Sequence, residues 1–110
     1  MEKSLQKKYI PMTETTYYTL LSVIQARHGY AIMQFVSRIT EERIKLGTGT
    51  LYTMVGRLTA DKLIAIVENE SGKKTYQITE LGMELLWLET SRLESQLKDG
   101  KQVLEEKTHG

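Results

Sequence analysis

Apolar residues recur at helical spacing through the first half of the chain. Tyr17, Leu20, Leu21 and Ile24 share one face, which predicts a helix over Glu14–Gln25 capped by Thr13. His28-Gly29 breaks it. A second helix carries Tyr30, Ile32, Met33, Phe35, Val36 and Ile39 and ends near Thr40, and Ile44 with Leu46 reads as a very short strand. Leu51, Val55 and Leu58 mark the buried face of a third helix, with Thr48 as its N-cap and an end near Asp61-Lys62.

The period then changes. Leu63–Glu68 is rich in branched residues and reads as a strand; Asn69–Gly72 is a turn; Lys74–Ile78 returns with Tyr76 and Ile78 on one face. Thr79-Glu80 caps a last helix, in which Leu81, Leu85, Leu86, Leu88, Leu93, Leu97 and Leu104 recur. Leu86 and Leu93 are seven apart, as are Thr90, Leu97 and Leu104, the spacing of a coiled-coil seam interrupted at Asp99-Gly100.

These elements predict a mainly α fold with a small β-hairpin: a winged helix-turn-helix plus a long C-terminal dimerisation helix. The divisions are a loose basic lead-in over 1–12 closed by Pro11, a DNA-binding winged helix-turn-helix over 13–79, a dimerisation helix over 80–106 and a frayed tail over 107–110.

In such a fold the third helix lies in a major groove about 12 Å wide, with the hairpin tip beside it at the phosphates. With Leu51, Val55 and Leu58 turned inward, Thr50, Thr53, Gly56 and Arg57 are left outside. Thr48, Thr50, Thr53, Arg57, Lys73 and Lys74 are therefore candidate DNA contacts, with Tyr52 at the edge of that face. Each has a plainer reading. Thr48 and Thr50 suit capping, Tyr52 suits packing against the first helix, Arg57 suits a pair with Asp61, and the two lysines suit a solvated turn.

Charge sharpens the picture once divided along the chain. The net charge of +1 conceals eleven Lys and Arg against seven Asp and Glu over residues 1–79, and four against seven beyond. A basic head suits a polyanion, and the acidic tail is repelled from it. The chemistry of an enzyme is missing: His28 and His109 are the only histidines, cysteine is absent, and no phosphate-binding glycine loop or metal-spaced ligand set occurs. No cofactor is expected. No apolar run approaches the roughly 20 residues of a membrane span, and no leader is visible, so a cytoplasmic protein is expected.

The stretches Gly49-Thr50-Leu51-Tyr52, Arg57-Leu58, Leu63-Ile64 and Tyr76-Gln77-Ile78-Thr79-Glu80-Leu81-Gly82, with His28-Gly29-Tyr30-Ala31-Ile32, resemble the PadR-type regulators, the phenolic acid decarboxylase repressor family. The resemblance covers about residues 13–90. It implies a short-subgroup transcriptional regulator, usually a repressor of a nearby gene. It implies a backbone contact by Tyr52 and a basic wing at Lys73 and Lys74. Relatives usually carry glycine before Leu-Ile. Here Lys62 stands there, so it either takes a left-handed cap or shifts the cap.

The apolar face of the last helix exceeds what so small a head needs, which points to a homodimer reading an inverted repeat one DNA turn, about 34 Å, apart. Tyr17, Leu86, Trp87, Leu93 and Leu97 are the interface candidates. Trp87 is either plain interface packing or half of an indole pair that sandwiches a planar aromatic effector. The alternative function is a winged-helix adaptor that binds protein and not double-stranded DNA.

Overall fold

Thr13 starts a helix as its chemistry predicts, but a shorter helix comes before it. A computed structural model describes residues 3–109, and in it Lys3–Tyr9 form α1. The lead-in is therefore ordered where it was expected to be loose. Leu5 and Tyr9 lie one turn apart and are buried against the head, which is what holds so short a helix. Met1 and Glu2 lie outside the described residues.

Helix α2 spans Glu14–Ser22, three residues short of its expected end. Thr13 Oγ1 accepts from the Thr16 amide at 3.1 Å, and Leu20 is fully buried. Arg27–His28 form a two-residue strand, β1, that the sequence reading lacked. The next residue opens α3, Gly29–Ile39, where His28 Nδ1 accepts from the Ala31 amide at 3.4 Å. Ile32 and Val36 bury its inner face. Thr40 closes the helix: its hydroxyl donates to the Val36 carbonyl at 2.7 Å and accepts from the Ile44 amide at 3.1 Å. Ile44 and Leu46 are loop, not strand, although Leu46 is buried.

Helix α4 spans Thr48–Ala60 and buries Leu51, Val55 and Leu58 as expected. Gly47 occupies the N-cap position without a side-chain cap, so Thr48 is the first helical residue and does not cap. At the other end Lys62 adopts φ 62°. The Leu63 amide reaches the Leu58 carbonyl at 2.9 Å and the Lys62 amide reaches Thr59 at 3.0 Å, a Schellman closure with lysine in the left-handed place.

Strands β2 (Ile64–Glu70) and β3 (Lys73–Ile78) pair antiparallel, and β1 adds to the far side of β3, giving the order β1-β3-β2. Ser71 and Gly72, both at positive φ, join Glu70 to Lys73 as a two-residue turn whose hand suits the strand twist.

Helix α5 runs unbroken over Glu80–His109. Asp99-Gly100 does not interrupt it, and residues 107–109, expected to fray, are helical. Gly110 lies outside the described residues. Thr79 anchors its start: the Thr79 hydroxyl donates to the Lys62 carbonyl at 2.7 Å and accepts from the Gly82 amide at 3.1 Å, and the Thr79 amide donates to the Leu63 carbonyl at 3.0 Å. Gly82 lies so close to this junction that a Cβ there would sit 2.1 Å from the Leu63 carbonyl oxygen. The core gathers Leu20, Val23, Ile32, Val36, Leu51, Leu58, Leu63, Ile64, Leu85 and Leu86.

Candidate nucleic-acid interface

The buried faces of α4 and of the sheet decide what is turned out. With Leu51, Val55 and Leu58 committed to the core, Thr48, Thr50, Tyr52, Thr53 and Arg57 are all exposed. They do not form one patch. Thr50, Thr53 and Arg57 line a shallow groove along α4 with Gly49 and Met54. Tyr52 lies on the other flank. There it joins Lys73 and Lys74 of the hairpin tip in a second groove, with His28, Gly29 and Tyr30 from the start of α3. Thr48 lines neither groove.

Tyr52 is 54% exposed, so packing in the core is not its role. Its hydroxyl lies 3.1 Å from where a Cβ on Gly29 would stand, so glycine at the head of α3 is what lets the phenol lie across that helix end. Beneath it Tyr76 is buried, and burial first, then the neighbouring Tyr52, raises its hydroxyl's pKa. Lys73 and Lys74 are exposed, and among the described residues neither is in an ion pair. Their charge is thus open to an anion.

Arg57 has a different setting from the pair with Asp61 weighed above. Its Nη2 donates to Thr16 Oγ1 at 3.2 Å, and its guanidinium lies 5.3 Å from the centre of the Tyr9 ring. Asp61 is engaged by α1 instead. Lys8 Nζ meets Asp61 Oδ2 at 2.8 Å, and the Tyr9 hydroxyl donates to the same oxygen at 2.6 Å. The lysine first, then the phenol, holds the Asp61 carboxyl below the ordinary carboxylate range. Burial and the adjacent carboxylate push the Tyr9 phenol upward, so it stays protonated.

The residues expected at a two-fold interface separate into groups. Leu86 is a correction: at 4% exposure it is spent on its own chain's core. Tyr17 is half-buried, with its hydroxyl 2.7 Å from Thr90 Oγ1 on α5 of the same chain. Leu93 and Leu97 are exposed, and Trp87 is 64% exposed. At 100° per residue Leu86, Leu93, Leu97 and Leu104 fall on one stripe of α5, and Trp87 stands about 100° round from it. The stripe therefore leaves the head core at Leu86 and continues into the open.

His28 and Tyr30 are the groove residues that sequence reasoning did not single out. Helical spacing counts Tyr30 on the apolar face of its helix, whereas the structure leaves it 62% exposed at the groove. Among the described residues no helix is long and apolar enough to cross a membrane.

A family model for the transcriptional regulator PadR-like family matches residues 19–87. The transcriptional regulator YqjI of Escherichia coli K12 is 34% identical over 65 residues, which cover 59% of this chain and 30% of that protein. The chain thus spans under a third of that relative's length. Among solved structures, a transcriptional regulator from Clostridium thermocellum aligns with a TM-score of 0.67 at 21% identity, covering 93% of this chain and 96% of the other. A PadR-like transcription factor from Bacteroides fragilis aligns with a TM-score of 0.57 at 27% identity, covering 94% and 95%. A PadR family regulator from Eggerthella lenta gives 0.66 at 22% identity, covering 82% and 77%.

Proposed function

The chain belongs to the PadR-like family of transcriptional regulators, and from that premise we propose that it is a homodimeric repressor reading an inverted repeat in double-stranded DNA. The observation that carries this reading is the convergence of Tyr52, Lys73 and Lys74 on one groove beside the outward face of α4. The two lysines supply point charges to phosphates, and the phenol supplies a hydroxyl to the same backbone. Thr50, Thr53 and Arg57 on the adjoining groove face base edges or the opposite strand, with Thr48 at the helix start.

Pairing through the exposed part of the α5 stripe, Leu93 and Leu97 with Leu104 beyond, removes apolar surface that the head leaves uncovered. Two-fold symmetry then presents two α4 helices one DNA turn apart. Trp87, 64% exposed and about 100° round from that stripe, serves as packing at the edge of the pairing, and a planar aromatic effector is the second reading for it. Regulation is exerted in the cytoplasm, by a protein that binds and does not catalyse.

Selection of bound duplexes from a random pool tests the reading, with an inverted repeat expected. On the selected duplex, Lys73→Ala with Lys74→Ala removes two phosphate contacts from each protomer, four from the dimer. The slope of log affinity against log salt then becomes shallower by about 3.6, with all sequences weakened alike. Absence of duplex binding by the unaltered chain at low salt would overturn the proposal in favour of a protein-binding adaptor.

A further inference from the structure

Arg57 stands where the outer face of α4 meets α1. It is exposed and lines the α4 groove with Thr50 and Thr53, yet its guanidinium is not loose. Nη2 is held by Thr16 Oγ1 at 3.2 Å and by Met54 Sδ at 3.5 Å, and the Tyr9 ring lies against the cation. The hydrogen bonds to Thr16 and Met54 both use Nη2, and the planar fork has further donors to direct elsewhere. The ring itself is fixed. Tyr9 is 3% exposed, and its hydroxyl is tied to Asp61, which Lys8 also grips.

A free arginine loses much rotamer freedom when it seats on a ligand, a cost of about 0.5–1.5 kcal/mol for an immobilised side chain. Here part of that freedom is already gone. Cation–π attraction adds to the two Nη2 hydrogen bonds in holding it. The charge stays at the groove, since the short contacts of Asp61 go to Lys8 and Tyr9 and not to Arg57.

We propose that Tyr9 is a positioning residue for DNA recognition, acting through Arg57: its buried ring pre-orders the guanidinium at the rim of the α4 groove for contact with the duplex. This rests on the DNA-binding reading above and assigns α1 a part in it. A purely structural Arg57, serving only to pin α1 to the head, would use the same contacts but leave DNA affinity alone.

The full-length chain and its selected duplex allow a double-mutant cycle, read by fluorescence anisotropy over a salt series, with thermal unfolding followed in parallel. Tyr9→Met keeps an apolar side chain but removes the π face. It is expected to weaken binding about 2- to 12-fold per protomer, or about 5- to 160-fold for the dimer, with the salt slope retained, since the Arg57 charge persists. Arg57→Ala weakens binding and lowers the slope by about 1.8, about 0.9 per protomer, if it meets a phosphate, or relaxes base preference at one position of each half-site if it meets a base. In the Arg57→Ala background, Tyr9→Met has no further effect on affinity. Tyr9→Phe, which keeps the ring, stays within about two-fold of the unaltered chain.

Should Tyr9→Met lower the folded fraction, Thr16→Val runs through the same cycle, since it removes the Nη2 acceptor at nearly constant volume. An equal loss from Tyr9→Met in both backgrounds, or an Arg57→Ala chain that binds as tightly as the original, overturns the proposal while leaving the regulator reading intact. Failure of the unaltered chain to bind any duplex overturns both.

Discussion

The junction at Gly82 lends itself to a quantitative test. A Cβ there would lie 2.1 Å from the Leu63 carbonyl oxygen, 3.1 Å from the Leu63 carbonyl carbon and 2.7 Å from Ile78 Cγ1. The first neighbour is backbone, held by the Thr79 amide and hydroxyl at 3.0 Å each, so it cannot yield as a side chain would. In Gly82→Ala the start of α5 must move off by about 1 Å. Overpacking of this kind costs about 1–3 kcal/mol, and each strained junction hydrogen bond adds about 1 kcal/mol. The better helix propensity of alanine returns about 1 kcal/mol. The net loss is about 2–4 kcal/mol, or a fall in Tm of roughly 10–20 °C for a chain of this size. Gly56→Ala is the internal control. It lies within α4, off the α5 stripe, with nothing within 4 Å of its Cβ, and so gains up to about 1 kcal/mol. Circular dichroism melts at fixed protein concentration compare the two. A Gly82→Ala chain that melts at or above the original temperature would refute the claim that α5 is seated directly on the α4–β2 corner.

Three further outcomes are expected. Lys62→Gly relieves a left-handed lysine at the end of α4 and stabilises the fold by roughly 1 kcal/mol in chemical denaturation; an unchanged midpoint would remove the strain argument. Asp61 is held below the carboxylate range, so its support for α1 is complete above an unfolded-state pKa of about 4 and is lost as pH falls through the lower folded value. Protection of the Tyr9 and Ile10 amides, taken relative to the intrinsic exchange rate at each pH, should therefore fall in acid for the original chain and lose that pH dependence in Asp61→Asn, and identical profiles would sink the assignment. Leu97→Glu places a charge on the exposed α5 stripe and halves the solution mass at micromolar concentration by light scattering. A retained dimer would put the seam elsewhere.

What could be read from the sequence follows from how local each signal is. The inward face of α4, the Ile32 and Val36 part of that of α3, and the Thr13 and Thr79 caps depend on neighbours within one or two turns, and these are where expectation and structure agree, whereas Tyr30 and Ile39, counted on the same apolar set, are exposed. Helix α1 was hidden because seven residues cannot hold a helix alone; Lys8 and Tyr9 find their partner some fifty residues away at Asp61, and Leu5 is buried in the shared core. Strand β1 is two residues long and exists only as a partner to Tyr76 and Thr75. Thr48 looked like a cap because it is a hydroxyl residue at a helix start, but backbone alone closes that end from Gly47. Leu86 was misjudged for a deeper reason: a leucine stripe records that a face is covered, not whether the cover is the same chain or a second one. For the candidate site, the outward set on α4 was legible by subtraction. The approach of His28 and Tyr30 to the hairpin tip needed the fold.

Helix α5 is thirty residues without a break, about 45 Å of rod, and its rotational phase is fixed inside the head by Leu85 and Leu86. In any paired assembly the head and the seam are then geared together. A tilt of about 10° where the rod leaves the head carries its far end, about 35 Å on, through about 6 Å, nearly two steps of the DNA ladder at 3.4 Å each. Substitutions deep in the head, remote from any nucleotide, will thus retune the half-site spacing that the assembly can span.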